Sequence, residues 1–466
     1  MKKFRARLLD PIDIASLVYF RMAFGLLLSL YLFYMLGSGL IGPLFVGPLF
    51  HFTYLGFSWV KPWPGGLMQV HFLVTALAAL AIALGLFYRL ALAVFLCGWV
   101  YIFLLEKAYY LNHFYLVALF AFLLWFVPAH RAYALDAKRR PALRSSMAPA
   151  YALWILRLQM GIVYFYAGLS KLHPDWLHGE PMRGLVRRHL EGPLFGIISL
   201  DAMAYALSYG GLLFDLLVAP ALLWSRTRHA AVLAALGFHL TNSFLFTIDF
   251  FPVLALAATL LFYPPDWPRR VFSALRPQSQ GRLRDPRDGR DSRDSRGGDC
   301  PWGVAAVLVA YFAVQLLLPM RSLLYPGDHA WTEEGHRFSW HLMQRTKNGR
   351  AEFFVRDPGP GTTWRISPEN YLNARQVREV AVQPDMMVQF AHFLEEQFRA
   401  RGYPDVEVRV FARVSLNNRS PQLLADPKHD LTREVVSLRH QAWIQPLGPR
   451  SRRDGVAGAD KSTNTE

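Results

Sequence analysis

The chain has 466 residues, 53% of them hydrophobic and 14% aromatic, and its 50 Lys and Arg against 34 Asp and Glu give a formal net charge of +16. So much apolar surface is more than a soluble globular chain ordinarily carries, which excludes a purely water-soluble protein. The basic excess would suggest nucleic acid in a soluble chain, but here it lies in clusters between apolar runs, so a membrane surface is expected and nucleic-acid binding is not.

Crossing a bilayer takes about 20 mostly apolar helical residues. Roughly nine segments approach that criterion: Ile14–Leu36, Met68–Phe87, Leu90–Leu105, Leu111–Val127, Tyr151–Leu169, Tyr205–Trp224, His229–Phe246, Phe250–Tyr263 and Val304–Pro319. The first follows MKKFRAR, but its apolar run is too long and no small-residue cleavage site follows, so it reads as a retained anchor. Residues 1–263 are thus expected to form a transmembrane helical domain of about eight spans. The stretch 264–300 contains RLRDPRDGRDSRDSRGGD, which has almost no apolar residues and reads as a disordered basic cytoplasmic linker. A last span is expected at 301–319, a soluble extracytoplasmic domain at 320–447 and a disordered tail at 448–466.

In the soluble domain, Val406–Leu416 (VEVRVFARVSL) alternates by twos as a half-buried strand does, whereas Asp385–Ala400 has helical periodicity. The fold class expected is a multi-pass α-helical membrane domain followed by a soluble β-rich (α+β) C-terminal domain. Basic residues cluster at Lys2, Lys3, Arg5 and Arg7; at Arg131, Lys138, Arg139, Arg140 and Arg144; at Arg226 and Arg228; and from Arg269 to Arg296. With nine spans all four clusters fall on one face, which the positive-inside rule makes cytoplasmic. The two cysteines, Cys97 and Cys300, are expected to form no structural disulfide. No P-loop, dinucleotide fingerprint, HExxH or CxxC pair is present, and no repeated block of spans.

Ionisable and amide side chains inside spans are costly and usually mark function. Arg21, His71, Glu106, His113, Arg157, Gln159, Lys171, Asp215, His239 and Asn242 lie in or at the ends of these helices. Glu106 and Lys107, at a span end, are expected to snorkel, and His71 reads as a helix-end residue. Arg21 and Arg157 are either structural partners of Asp215 or contributors to a substrate site. His113 and His239 stand beside the amides Asn112 and Asn242, which suggests a polar pocket. No ligand spacing points to a metal.

The most informative segment is LRLQMGIVYFYAGLSKLHPDWLHGEPM, Leu156–Met182, in which an apolar helix delivers Lys171 to the far end of the membrane. It resembles the vitamin K-dependent γ-glutamyl carboxylase family, whose motif YF-x-AG-x-x-KL-x-x-DW has a lysine at this place. Other segments look like family segments in the family's order: LLDPIDIASLVYFRMAFG, NHFYL at Asn112–Leu116, GGLLFDL at Gly210–Leu216, FHLTNSFLFTI at Phe238–Ile248, FSWHLMQRTK at Phe338–Lys347, DPKHDL at Asp426–Leu431 and WIQPL at Trp443–Leu447. Where animal members carry a second lysine this chain has Ser170, and it lacks the cysteines of their interdomain disulfide. In WTEEGHRFSW, Gly335 and His336 replace apolar and aromatic residues that lie near the glutamate substrate, and Ser322 stands where the family has a histidine.

The resemblance implies that reduced vitamin K, O2 and CO2 convert a peptidyl glutamate to γ-carboxyglutamate and leave vitamin K epoxide, with no metal. A glutamate γ-hydrogen is too weakly acidic for any side-chain base at neutral pH, so the strong base must come from the oxygenated cofactor. A dry membrane cavity would protect that base from water and admit the lipid-soluble quinol from the membrane lipids. The roles implied are Lys171 as the base that deprotonates the quinol, His113 and His239 as groups that orient it or stabilise its oxyanion, Asn112, Asn242, Arg157 and Asp215 as cofactor contacts, and Trp331, His336 and Trp340 as contacts to the glutamate-containing peptide or protein. Alanine and arginine richness favours a bacterial inner membrane with the C-terminal domain periplasmic. Two other readings stay open: a membrane quinol epoxidase or oxygenase without protein carboxylation, and a non-enzymatic transporter or receptor.

Overall fold

The computed structural model describes residues 7–189, 199–246, 248–275 and 302–450. In chain order, the expected spans contain helices α1 (Ala15–Gly37), α2 (Leu67–Leu84), α3 (Tyr88–Leu105), α4 (Asn112–Trp125), α5 (Tyr151–Ser170), α6 (Leu200–Leu223), α7 (Arg228–Leu245), α8 (Phe251–Thr259) and α9 (Trp302–Leu317). Six of these are long and apolar enough to cross a membrane: α1, α2, α3, α5, α6, and α9 with the 3-10 turns that carry it to Leu324. Helix α4 and α8, which 3-10 turns extend to Phe262, are shorter. Helices α2 and α6 turn large apolar side chains outward, as at Leu73, Leu77, Leu213 and Leu217, which suits lipid and not water.

The inter-helix segments gather at two ends. At one, β1 (Pro11–Asp13) pairs antiparallel with β2 (Met147–Pro149), Arg269 bridges Asp13, and the Asp136 carboxylate accepts from Phe87 N and Tyr88 N at the start of α3. The basic residues Arg131, Lys138–Arg140, Arg144, Arg226, Arg228 and Arg269 belong to this end. The stretch expected to be linker begins as a helix, Trp267–Leu275, because Trp267 packs edge-on against Tyr19 and Arg269 finds Asp13. Residues 276–300, Cys300 among them, and the tail from 451 lie outside the described residues.

At the other end sits the C-terminal domain. Its four-stranded antiparallel sheet has the order β4-β3-β5-β6, with β3 Lys347–Arg356, β4 Thr363–Ile366, β5 Glu407–Leu416 and β6 Gln422–Leu423. Along β5, Val408, Val410, Ala412, Val414 and Leu416 are buried while Arg409, Phe411 and Arg413 alternate outward, the period of a sheet with one covered face. The cover is α10 (Ala374–Val380) and α11 (Pro384–Arg399), inserted between β4 and β5, with Phe390 edge-on to Phe353.

Loops of the membrane domain complete this domain. Phe52 and Ala108 lie in its hydrophobic core, and Thr53 and Gln389 exchange two hydrogen bonds of 2.9 Å. Glu106 and Lys107 do not snorkel. The Glu106 carboxylate accepts from Phe52 N, Ala108 N and Gln376 Nε2, and Lys107 Nζ lies 2.9 Å from Asp385, which also pairs with Arg337. Two further buried ions prove structural. Arg21 donates to the carbonyls of Ala129 and Tyr133, and Arg157 to those of Leu261 and Tyr263 where α8 ends. Neither pairs with Asp215. Each instead satisfies chain-end carbonyls that have no helical partner.

Candidate active site

Where α5, α6, α7 and α8 approach the C-terminal domain they line a partly open cavity of about 310 Å³. Its walls are apolar, including Val163, Leu245, Phe251 and Phe238, the last stacked 4.0 Å from Phe214. Its polar lining is sparse, and besides Thr241 and Tyr164 it consists chiefly of Lys171, Asp215, His113, His239, Asn112 and Asn242. A pocket that is mostly apolar with a few convergent polar groups is the usual form of a small-molecule site.

Lys171 is the cap residue that ends α5, and periodicity explains its aim. Tyr164 and Ala167 precede it by two turns and one turn, so all three share the cavity face of the helix. Lys171 Nζ lies 2.6 Å from Asp215 Oδ2, and both side chains are only 4% exposed. The amine also donates to the carbonyls of Ala167 and Leu342, each at 3.2 Å, so three oxygens take its three N–H groups. The ring of Trp176 lies 5.1 Å away, held by a 2.7 Å bond from its Nε1 to Ser208 O. Asp215 comes within reach because α5 and α6 approach closely: a Cβ on Gly168 would sit 2.6 Å from a Leu216 methyl.

Both histidines present an unsatisfied nitrogen. His239 Nε2 meets the Tyr164 hydroxyl at 3.2 Å, and its Nδ1 is buried without a partner. His113 stacks on Phe251, and its Nε2 has no hydrogen-bond partner, the nearest carboxylate oxygen, on Asp249, being 3.8 Å away. A buried, unbonded imidazole nitrogen is expensive, and a ligand oxygen would relieve it. Asn112 accepts from Tyr110.

The roof is the segment 333–343. Trp340, Leu342 and Met343 line the cavity, and Trp340 stacks on Tyr115 at 5.1 Å. Four non-glycine residues here have left-handed backbones: Glu333, Phe338, Trp340 and Met343. Such strain persists only where the surroundings impose it. They do so through the Arg337–Asp385 pair, through Phe338 N donating to the Tyr110 hydroxyl at 2.7 Å, and through Leu342 O on Lys171. Two departures from the family pattern meet here. Gly335 has φ +71°, and a Cβ on it would lie 2.6 Å from Ser322 Cα, so the glycine lets the roof lie directly on the end of the last span.

Three residues expected at the site are elsewhere. Arg157 lies 14 positions before Lys171 on the same helix, about 21 Å away along its axis. Trp331 is in the core of the C-terminal domain, its Nε1 bonded to Gln445 O. His336 contacts His341, Nδ1 to Nδ1 at 3.2 Å, in a row of imidazoles that continues through His329 to His173. Burial holds His341 at about 3, with His329 and Arg345 adding to the effect, and pushes His336 well below the ordinary histidine value. Burial would lower His173 too, but its 3.1 Å contact with Asp328 outweighs this and raises it.

The loop after Lys171 also ties the two domains together. Asp175 accepts from Asn417 and Arg419, and Glu180 pairs with Asn418 and Arg450, while Trp176 between them faces the cavity. The HPDW stretch therefore alternates between lining the site and clamping its cover. Sequence reading missed Tyr164, Trp176, Leu342 and Met343. Only the first two carry a signal, their fixed distance from Lys171 within one motif.

The comparisons with known proteins agree with this architecture. Residues 9–267 match the HTTM domain, and residues 302–450 match the lumenal domain of vitamin K-dependent gamma-carboxylase. No solved structure matches the chain. The first match covers more than half the chain and the second the whole described part of the extramembrane domain, so the protein belongs to the vitamin K-dependent γ-carboxylase family.

Proposed function

We propose that the protein carboxylates peptidyl glutamate at the expense of reduced vitamin K, working at the cavity around Lys171. The observation that carries this reading is a lysine amine buried against a carboxylate on the wall of an apolar cavity, beneath a domain of the carboxylase type. The cavity suits a quinol ring: flat apolar walls are offered by Phe238, Phe251 and Trp340, and unpartnered nitrogens by His113 and His239. Reduced vitamin K, consumed with O2, supplies the base strength needed to exchange a glutamate γ-hydrogen for CO2.

The chain's own residues position and move protons. A charged amine and carboxylate in a dry site are costly, and transfer of a proton from Lys171 Nζ to Asp215 Oδ2 across 2.6 Å removes both charges at once. The neutral amine can then take up one proton from a bound hydroxyl and return to the ammonium, with Asp215 keeping the proton it received. His113 and His239 donate to the oxygen on which charge develops. The roof residues Trp340, Leu342 and Met343 would limit water at the bound ring, and on this reading the peptide approaches from the side of the C-terminal domain. By the positive-inside rule the basic end is cytoplasmic and the C-terminal domain periplasmic, in a bacterial inner membrane.

One observation favours a second reading. His336, at a family substrate position, turns away from the cavity toward His341. A quinol epoxidase without carboxylation would keep the cavity and lose the peptide contact. Membranes given reduced vitamin K and a glutamate peptide distinguish the two when epoxide and fixed labelled CO2 are followed separately. Both products are expected. Epoxide alone would establish the second reading, and neither product would leave a transporter or receptor. A cysteine in place of the exposed Thr362 should react with an impermeant thiol reagent in spheroplasts, and its protection would reverse the orientation.

A further inference from the structure

A second pocket of about 340 Å³ lies on the other side of the roof, walled off from the cavity by Phe338, Tyr110 and Tyr115. Four cations line it: Lys107, Arg321, Arg337 and Arg439. Asp385 answers Lys107 and Arg337, at 2.9 and 2.6 Å. Among the described residues, Arg321 and Arg439 have no carboxylate within ion-pair distance. Arg321 gives one nitrogen to Arg337 O at 3.2 Å, and its Nε is buried with no partner.

The acids of the pocket are already engaged. Glu333 holds Arg345 and Lys347, and Glu334 takes His440 and Gln441 N. The pocket therefore carries two guanidiniums with no carboxylate partner among the described residues, and each of its carboxylates already accepts hydrogen bonds from protein groups. Its floor is Leu104 in the last turn of α3, and Arg321 follows the end of α9, so it stands at the boundary of the apolar helices. The rim is apolar and outward at Leu55, 51% exposed, and Leu438, 61%, and the chain between the lining residues Arg321 and Tyr325 carries the outward Leu323 at 74% and Leu324 at 82%. Leucines so exposed at the end of a membrane-spanning helix belong in acyl chains and not in water.

We propose that this pocket binds the phosphate headgroup of an anionic phospholipid from the outer side of the membrane. Arg321 and Arg439 contact the phosphate while Leu323, Leu324 and Leu438 enter the acyl region. With every acid engaged, nothing remains for the ammonium of a zwitterionic headgroup, so phosphatidylglycerol is preferred to phosphatidylcholine. The Tyr325 hydroxyl, bonded to Leu438 O at 2.6 Å, links the two walls and makes the pocket sensitive to both. None of this depends on the chemistry assigned to the Lys171 cavity.

The test equilibrates the full-length protein with nanodiscs of equal phosphatidylglycerol and phosphatidylcholine, strips the bulk lipid in detergent, and measures retained lipid by native mass spectrometry. Wild type should retain phosphatidylglycerol about tenfold over phosphatidylcholine, because two guanidiniums without carboxylate partners repel the choline cation that only phosphatidylcholine carries, and R321Q/R439Q should abolish the preference. If that variant misfolds by thermal melt, L323S/L324S serves instead and should lower total retained lipid while Arg365→Gln leaves it unchanged. Equal retention of the two lipids by wild type, an unchanged preference in R321Q/R439Q, or an unchanged amount of total lipid in L323S/L324S overturns the proposal. So does full displacement by glycerol phosphate, which would make this a free-anion site, or by a glutamate-rich peptide, which would make it a substrate site.

Discussion

Two lysine–aspartate pairs lie near the ends of the membrane helices, and their surroundings differ: both partners are buried in Lys171–Asp215, whereas Asp385 in Lys107–Asp385 is partly exposed. Lys107 and Asp385 join the membrane helices to the C-terminal domain, and Arg337 adds a second cation, so the cluster is a positively charged knot. Burial lowers Lys107 to about 8, while the two cations hold Asp385 well below the usual carboxylate range although burial opposes it. Lys171 and Asp215 stand alone, one cation to one anion, beside empty apolar space. The first arrangement fixes charge in place. The second pairs one cation with one anion, the arrangement that the proposed proton transfer requires.

The same substitution applied to both lysines should separate the roles most widely. Lys171→Arg keeps a cation beside Asp215 but supplies no neutral base, and it should lower quinol turnover by about 10²–10⁴-fold with the protein still inserted and folded. Lys107→Arg should leave turnover within roughly threefold and lower the melting temperature, since an extra nitrogen must fit a packed knot. Substantial activity in Lys171→Arg would remove that residue from the chemistry.

Removing an acid gives the converse contrast. Asp385→Asn leaves Lys107 and Arg337 facing each other, and a loss of roughly 2–4 kcal/mol is expected in chemical denaturation, the lower part of the range for breaking a buried pair because its side chain keeps 32% exposure. A smaller cost would mean that water already screens the knot. Smaller still, His113→Gln should cut turnover by about tenfold to a hundredfold with little change in melting, whereas a parallel fall in both would make His113 a packing residue.

The mildest effect is on pH. His336 and His341 are neutral in the folded protein, whereas in an unfolded chain they protonate near pH 6.5. Between that pH and about 3 the unfolded state binds more protons, so the stability present above 6.5 is lost progressively on acidification. The His173–Asp328 contact works the other way for His173, whose raised value adds stability below 6.5 that disappears as pH rises through it. Melting of His341→Asn at pH 7 and pH 5 should differ less than that of wild type. An equal difference would place the acid sensitivity in carboxylates.

The helical spans, the alternating strand β5 and the placement of Lys171 were legible because apolar period and a single motif encode them locally. The partner of Lys171 was not, since Asp215 is 44 residues away and pairing between helices leaves no periodic trace. Arg157 looked functional because charge inside a span usually is. Composition does not report depth, and this arginine lies at the wrong end of its helix. Glu106 and Lys107 looked like ordinary span-end residues because the domain that buries them comes much later in the chain. The roof was illegible for a different reason: Phe338, Trp340 and Met343 adopt left-handed backbones without being glycines, so only the finished structure reveals the turn.

The clamp around the HPDW loop also bears on synthesis. Asp175, Glu180, Glu106 and Lys107 are made early, and their partners Asn417, Asn418, Arg419, Gln376 and Asp385 are made late. Leu342, whose carbonyl holds the Lys171 amine, is also late. A nascent chain therefore carries its lysine and its cavity walls through the membrane before it carries the groups that close over them. On the proposed function, a ribosome-stalled or shortened chain would hold its lysine beneath an unfinished roof, and it is expected to turn over no quinol.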